Sequence, residues 1–262
     1  MALSKEQINS VEEVLRASLR NKFQSYKPEP ASMPFHTRLL GKDRLALYSF
    51  IHSLITNFGG SIFEPVGLAL AQKNFKMAVS QATVGNEISA AAQIEIQKII
   101  DGLITATSAP NKKEEIERIR KVCQTGEIIK VKPTKIDLMF ESKDGAYFLF
   151  DIKTAKPNAG GFKEFKRTLL EWVAVVLANK PETEINTFIA IPYNPYEPKP
   201  YTRWTMKGML DLKYEVMVAE EFWDFLGGKN TYKDLLDCFK RVGIELRDEI
   251  DNYFKKFVNK KK

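Results

Sequence analysis

The sequence predicts an α/β fold, and three observations carry that reading. Two strand-like runs flank a turn within residues 135–154, residues 186–191 form a short apolar run, and helix-period apolar patterns occupy residues 4–23, 39–57 and 162–178. Apolar side chains recurring every three or four positions bury one side of a helix, whereas alternation at every second position buries one face of a strand. With 262 residues the chain can enclose a core as one large domain or two small ones.

In chain order, Ser4 and Gln7 make a capping box for a first helix, with Ile8, Val11, Val14 and Leu15 on one side. Three prolines make residues 26–34 an extended connector. Residues 39–57 predict a helix with an almost continuous apolar surface, formed by Leu45, Leu47, Phe50, Ile51, Leu54 and Ile55 and stopped by Gly59 and Gly60. Residues 64–107 predict two helices, one over 68–78 and one over 86–103, with Glu87 at the start of the second. A charged helix over 113–123 closes at Gly126; its charges read as a solvated face, with phosphate contact by Arg118, Arg120 and Lys121 as the alternative.

The chemistry concentrates in residues 130–158. Over 135–141, Ile136, Leu138 and Phe140 share one strand face and Asp137 takes the other. Ser142-Lys143-Asp144-Gly145 reads as a hairpin turn. The second run, 146–154, opens with an unbroken apolar stretch, as expected of a strand buried on both faces, then presents Asp151 and Lys153 on the same side. Paired strands lie about 4.8 Å apart, so the hairpin brings Asp137 within reach of Asp151. Two carboxylates so placed repel one another, and a hard divalent cation such as Mg²⁺ relieves the repulsion through oxygen ligands. Lys153 is then placed to orient or deprotonate a water, or to stabilise charge on a phosphate under attack. The plainer alternative is a solvated strand edge, which the apolar run from Tyr147 to Phe150 opposes.

After this hairpin, residues 156–161 form a loop that sets Lys156 and Asn158 beside the acidic pair, where they can touch nucleic acid. The helix over 162–178 is apolar for most of its length, and Glu171 inside it needs a partner: Lys153, Lys166 or the site itself. Residues 191–205 pack four prolines and three tyrosines into a stiff extended loop. Stiffness lowers the ordering cost of recognition. Arg203 and Lys207 are candidates for reading guanine and Asn194 for adenine, while the aromatic residues pack the loop on the core. A further strand over 212–218, a short helix over 220–228 and one long amphipathic helix over 232–257 complete the reading.

The formal charge of +7 and a pI near 9.1 favour a polyanionic partner without demanding one. Cys123 and Cys238 show no pairing or zinc spacing and read as reduced thiols of a cytoplasmic protein; His36 and His52 read as structural or surface residues. The polar N-terminal segment has no signal-peptide core and no run long enough to cross a membrane. No GxSxG, P-loop or GxGxxG occurs, which sets aside α/β hydrolases and nucleotide enzymes.

Pro133, Asp137 and the Asp-x-Lys at 151–153 resemble the PD-(D/E)xK nuclease signature, with three residues between Pro133 and Asp137 where that signature usually has none. Further segments widen the likeness: 35–54, 63–71 (FEPVGLALA), 166–174 (KRTLLEWVA), 190–212 and 220–228 (EEFWDFLGG). Together they resemble type II restriction endonucleases of the TdeIII-like group. The resemblance implies a single endonuclease domain over 1–262, helical over 1–110, with a restriction-endonuclease-like mixed sheet over 125–220 and C-terminal helices over 221–262. It further implies Mg²⁺ held by Asp137, Asp151 and the Ile152 carbonyl, Lys153 positioning the attacking water, and 5′-phosphate ends. Glu87 is the candidate for a helical glutamate that joins the metal, with Glu95 or Glu171 as substitutes in that role. The expected partners are double-stranded DNA with a site of the GGNCC type, a second copy of the chain, and a methyltransferase as a separate protein. A structure-reading repair nuclease of the same fold, or a DNA-binding module with an inactive site, are the competing readings.

Overall fold

The computed structural model describes residues 3–27, 33–153, 155–202 and 206–258. Helix α1 (Lys5–Ser25) begins with the expected capping box, since Ser4 Oγ accepts the Gln7 N–H and the Gln7 side chain accepts the Ser4 N–H. Helices α2 (Pro34–Leu40) and α3 (Lys42–Phe58) follow, broken at Gly41, whose φ of 86° favours glycine. The apolar surface expected of α3 is only partly used: Phe50 is fully buried, while Ile51 and Ile55 remain exposed.

A π-turn at Gly59–Phe63 leads into α4 (Glu64–Ala71). The helix expected over 68–78 stops at Ala71, and Met77–Ala82 forms strand β1 instead. Strand β2 (Glu87–Ser89) precedes α5 (Ala90–Ile104). Ser89 caps that helix through the Ala92 N–H, so the helix expected from residue 86 begins at Ala90. Helix α6 (Lys112–Arg120) and strand β3 (Ile128–Lys130) come next, and β3 pairs with β2 in a small separate sheet.

The hairpin forms as read. Strand β4 (Ile136–Glu141) and strand β5 (Tyr147–Ile152) pair antiparallel, with Leu138 opposite Phe150 and Glu141 opposite Tyr147. Helix α7 (Phe162–Asn179) crosses over to strand β6 (Ile185–Ile191), which runs parallel to β5. Strand β7 (Val216–Val218) adds in parallel to β6. The main sheet therefore has the order β1-β4-β5-β6-β7, antiparallel on one side and parallel on the other, a mixed sheet flanked by helices.

Helix α8 (Glu220–Gly227) ends at Gly228, and the long C-terminal helix is broken at Leu246 into α9 (Thr231–Glu245) and α10 (Arg247–Val258). One face of the sheet packs on α5, α6 and α7 through residues such as Leu149, Leu169, Trp172 and Ile189. The other packs on α1, α4, α8 and α9 through Leu138, Phe140, Phe150, Phe222 and Trp223. No single helix among the described residues is long and apolar enough to cross a membrane.

Candidate active site

Pairing of Leu138 with Phe150 sets Asp137, one residue before, opposite Asp151, one residue after. Along β4 the alternation is strict: Ile136, Leu138 and Phe140 are fully buried, while Asp137 and Met139 are half-buried. The Asp137 carboxylate accepts the backbone N–H of Ile152 at 2.7 Å, and Lys153 Nζ donates to Asp151 Oδ1 at 2.5 Å. The Lys153 backbone N–H continues the ladder to the Ala190 carbonyl, and its ammonium lies 4.9 Å from the Phe165 ring centroid on α7. Asp137, Asp151 and Lys153 thus come together as the hairpin pattern requires.

Asp151 is nine-tenths shielded from solvent. Burial pushes its carboxyl up to about 6 against the pull of the Lys153 ammonium and its hydrogen bond, and the neighbouring Asp137 adds to the rise. A carboxyl raised by burial beside a second carboxylate is a feature often found at functional sites.

A further acid, absent from the sequence-based candidates, joins this pair. Glu64, at the start of α4, is buried, and Gln81 Nε2 on β1 donates to Glu64 Oε2 at 2.9 Å and to Asp137 Oδ1 at 3.4 Å. Burial raises the Glu64 carboxyl, the Gln81 hydrogen bond opposes that rise, and the Asp137 charge adds to it. Gly67, one turn further along α4, permits the close approach of helix to sheet, since a Cβ there would stand 2.6 Å from Leu138 Cδ1. The helical glutamate beside Asp137 is therefore Glu64. Glu87 lies exposed on β2, paired with Lys130 of the small sheet rather than on a helix.

Glu95 and Glu171 also have partners away from the aspartate pair. Glu95 binds Arg118 at 2.7 Å, so that arginine is engaged on the α5–α6 face. Arg120 pairs with Glu117 and donates to the carbonyls of Pro181 and Thr183. Glu171 faces Arg167 on its own helix and lines a small crevice with Thr134, Trp172 and Val175. Lys166 is fully buried and binds Glu115 and, at 2.7 Å, Glu215. Lys112 completes that set, 3.1 Å from Glu215 Oε1 in an ion contact without hydrogen-bond alignment and 2.6 Å from Thr187 Oγ1.

The loops that follow β5 and β6 leave the same edge of the sheet because those strands are parallel. They touch: the Tyr201 hydroxyl donates to the Ala155 carbonyl at 2.9 Å, and the Lys156 ammonium lies 5.2 Å from the Tyr196 ring centroid. Lys156, Asn158 and Lys207 are exposed there. Asn194 uses both ends of its amide inside the loop, donating to the Lys199 carbonyl and accepting the Tyr196 N–H. Arg203 lies outside the described residues.

The donor set fits a hard cation. Among the described residues no three aspartate, glutamate, histidine or cysteine side chains come together closely enough to hold a metal ion by themselves. Two carboxylates and a backbone carbonyl, with the remaining positions open to water and phosphate, are what Mg²⁺-type sites commonly use.

Comparison with known proteins identifies the family. Residues 3–243 match the model of the type II restriction endonuclease HinfI family. The type II restriction enzyme HgiBI of Herpetosiphon aurantiacus is 29% identical over 248 residues, covering 89% of this chain and 87% of that one. HgiCII of the same organism is 28% identical over 221 residues, covering 83% and 80%. MjaII of Methanocaldococcus jannaschii is 29% identical over 275 residues, covering 92% and 72%. With a family match that spans most of its length and a paired acidic hairpin at its centre, the chain belongs to the HinfI family of type II restriction endonucleases.

Proposed function

We propose that this endonuclease cuts both strands of DNA at a short palindromic site, using Mg²⁺ held by Asp137, Asp151 and the Ile152 carbonyl. The observation that carries the reading is the pairing of Asp137 and Asp151 across β4 and β5 with Lys153 Nζ bound to Asp151. When bound, the cation supplies a Lewis acid for the phosphate and lowers the pKa of a water. Asp137 is held by the Ile152 N–H, so its carboxylate needs little reorganisation to serve as a ligand. Lys153 orients the attacking water and offers its ammonium to the charge that builds on the phosphate. The water oxygen bonds to phosphorus as the bond to the 3′ oxygen breaks, leaving the phosphate on the 5′ end. Glu64 stands beside Asp137 as a further acid of the site.

Lys156, Asn158 and Lys207 meet the backbone or bases from the loop edge, with Arg203 as a guanine reader and Asn194 shaping the loop that carries it. A GGNCC-type palindrome has two equal halves, which calls for two copies of the chain related by a twofold axis. A separate methyltransferase would protect the host's own sites. The test is digestion of a plasmid of known sequence by the protein and by Asp151→Asn, with Mg²⁺ and with EDTA. Discrete fragments with 5′-phosphates, made only by the unaltered protein with Mg²⁺, are expected. A smear, or full cutting in EDTA, would overturn the reading.

A further inference from the structure

Gln81 occupies an unusual place on β1. Ser80 pairs with Leu138 and Ala82 with Ile136, yet Gln81, between them and opposite Asp137, drops out of the ladder with φ of 52°. A side chain with a Cβ is strained in that left-handed region, and such strain persists only where the surroundings hold it. Here the side chain is what is held. Its amide nitrogen faces Glu64 Oε2 at 2.9 Å and Asp137 Oδ1 at 3.4 Å. Two acceptors fix which end of the amide points inward, because an oxygen in that place would meet two carboxylates.

An amide NH₂ between two acids does part of what a cation would do. It offers a positive dipole and two donors, and it adds no charge of its own. We propose that Gln81 is a positioning residue whose amide ties Glu64 to Asp137 and stands in for a second cation, so that one divalent ion binds per chain. This rests on the reading of Asp137 and Asp151 as cation ligands. Gln81→Glu would turn the bridge into a further carboxylate and open a place for a second ion. Gln81→Gly would leave the backbone relaxed, since glycine adopts this φ freely, but would untie Glu64.

The experiment is calorimetric titration of the full-length protein with Mn²⁺ in the absence of DNA, alongside thermal unfolding with and without Mn²⁺. The unaltered protein should take one ion per chain. Gln81→Gly should bind the first ion about tenfold more weakly, as orienting partners of ligands typically dictate, admit a second ion between the untied acids, and unfold no earlier without Mn²⁺. Gln81→Glu should take two ions and lose thermal stability without Mn²⁺ that added Mn²⁺ restores; if it does not fold, Gln81→Gly decides the matter alone. Two ions on the unaltered protein, or variants that match it, overturn the role of Gln81 and leave the reading of Asp137 and Asp151 standing. No Mn²⁺ binding by the unaltered protein overturns both.

Discussion

The carboxylate of Asp137 accepts the backbone N–H of Ile152, 2.7 Å away on the neighbouring strand, so one proposed ligand is anchored by the residue whose carbonyl is proposed as another. The anchor belongs to the sheet and not to a loop, and a site built this way is assembled when the hairpin pairs. Asp151 has a different partner, the ammonium at the end of the long Lys153 side chain. The two aspartates therefore respond differently to change.

Asp151→Asn should abolish cleavage and stabilise the cation-free protein. The folded carboxyl titrates near 6 against an ordinary value of 3.8, so folding favours its protonated form. The destabilisation is fully present above pH 6 and fades as pH falls toward 4. Removing the charge should add about 1–2 kcal/mol at pH 7.5, read as a higher urea midpoint in EDTA, with no gain at pH 4.

The same titration governs cation binding. Only the ionised carboxyl is a ligand, so Mn²⁺ affinity should fall about tenfold between pH 7 and pH 5. Calorimetry at the two pH values checks this, and an affinity that does not fall at pH 5 would remove Asp151 from the ligand set.

Glu64→Gln and Glu87→Gln separate the two candidate glutamates. The first should slow cleavage by about 10- to 100-fold, the usual cost of losing a group that supports metal ligands. The second should leave the rate unchanged, since Glu87 lies on the exposed small sheet. Single-turnover cleavage of a plasmid measures both.

Lys166→Met should cost about 3–5 kcal/mol, because it leaves Glu115 and Glu215 buried without their shared cation. Lys166→Met combined with Glu115→Leu restores neutrality around the Lys112–Glu215 pair and should cost less than the single change. Urea denaturation of the three proteins tests this order.

Lys156→Ala should weaken binding to every duplex alike and reduce the slope of log affinity against log salt by about one. A loss confined to one DNA sequence would make Lys156 a base reader instead.

The β4–β5 hairpin is legible in the sequence because its signals are local: alternation over 135–141, a Ser-Lys-Asp-Gly turn, and charges that interrupt an apolar run. Strand β1 is not. Met77–Ala82 is rich in residues at home in helices and follows α4 closely; what makes it a strand is the edge of β4, a partner distant in sequence. Glu64 escapes notice because a glutamate before a proline reads as an ordinary helix start. The available signal is its position in FEPVGLALA, an apolar stretch in which a carboxylate must find a partner. The same argument draws attention to Glu171, whose surroundings are its own helix and a side crevice. The break at Leu246 carries no proline, and its nearest glycine, Gly243, sits inside the last turn of α9, so the amphipathic period runs across the break.

The kink at Gln81 has a bearing on the outer rim of the sheet. Strand β1 is an edge, and a straight edge strand offers a row of free N–H and C=O groups to any extended chain nearby. A left-handed residue one position before its end spoils that row, while the opposite edge, β7, spans only three residues. Neither rim is a good template for a foreign strand. The distortion that brings an amide between two acids thus also guards the protein against edge-to-edge aggregation.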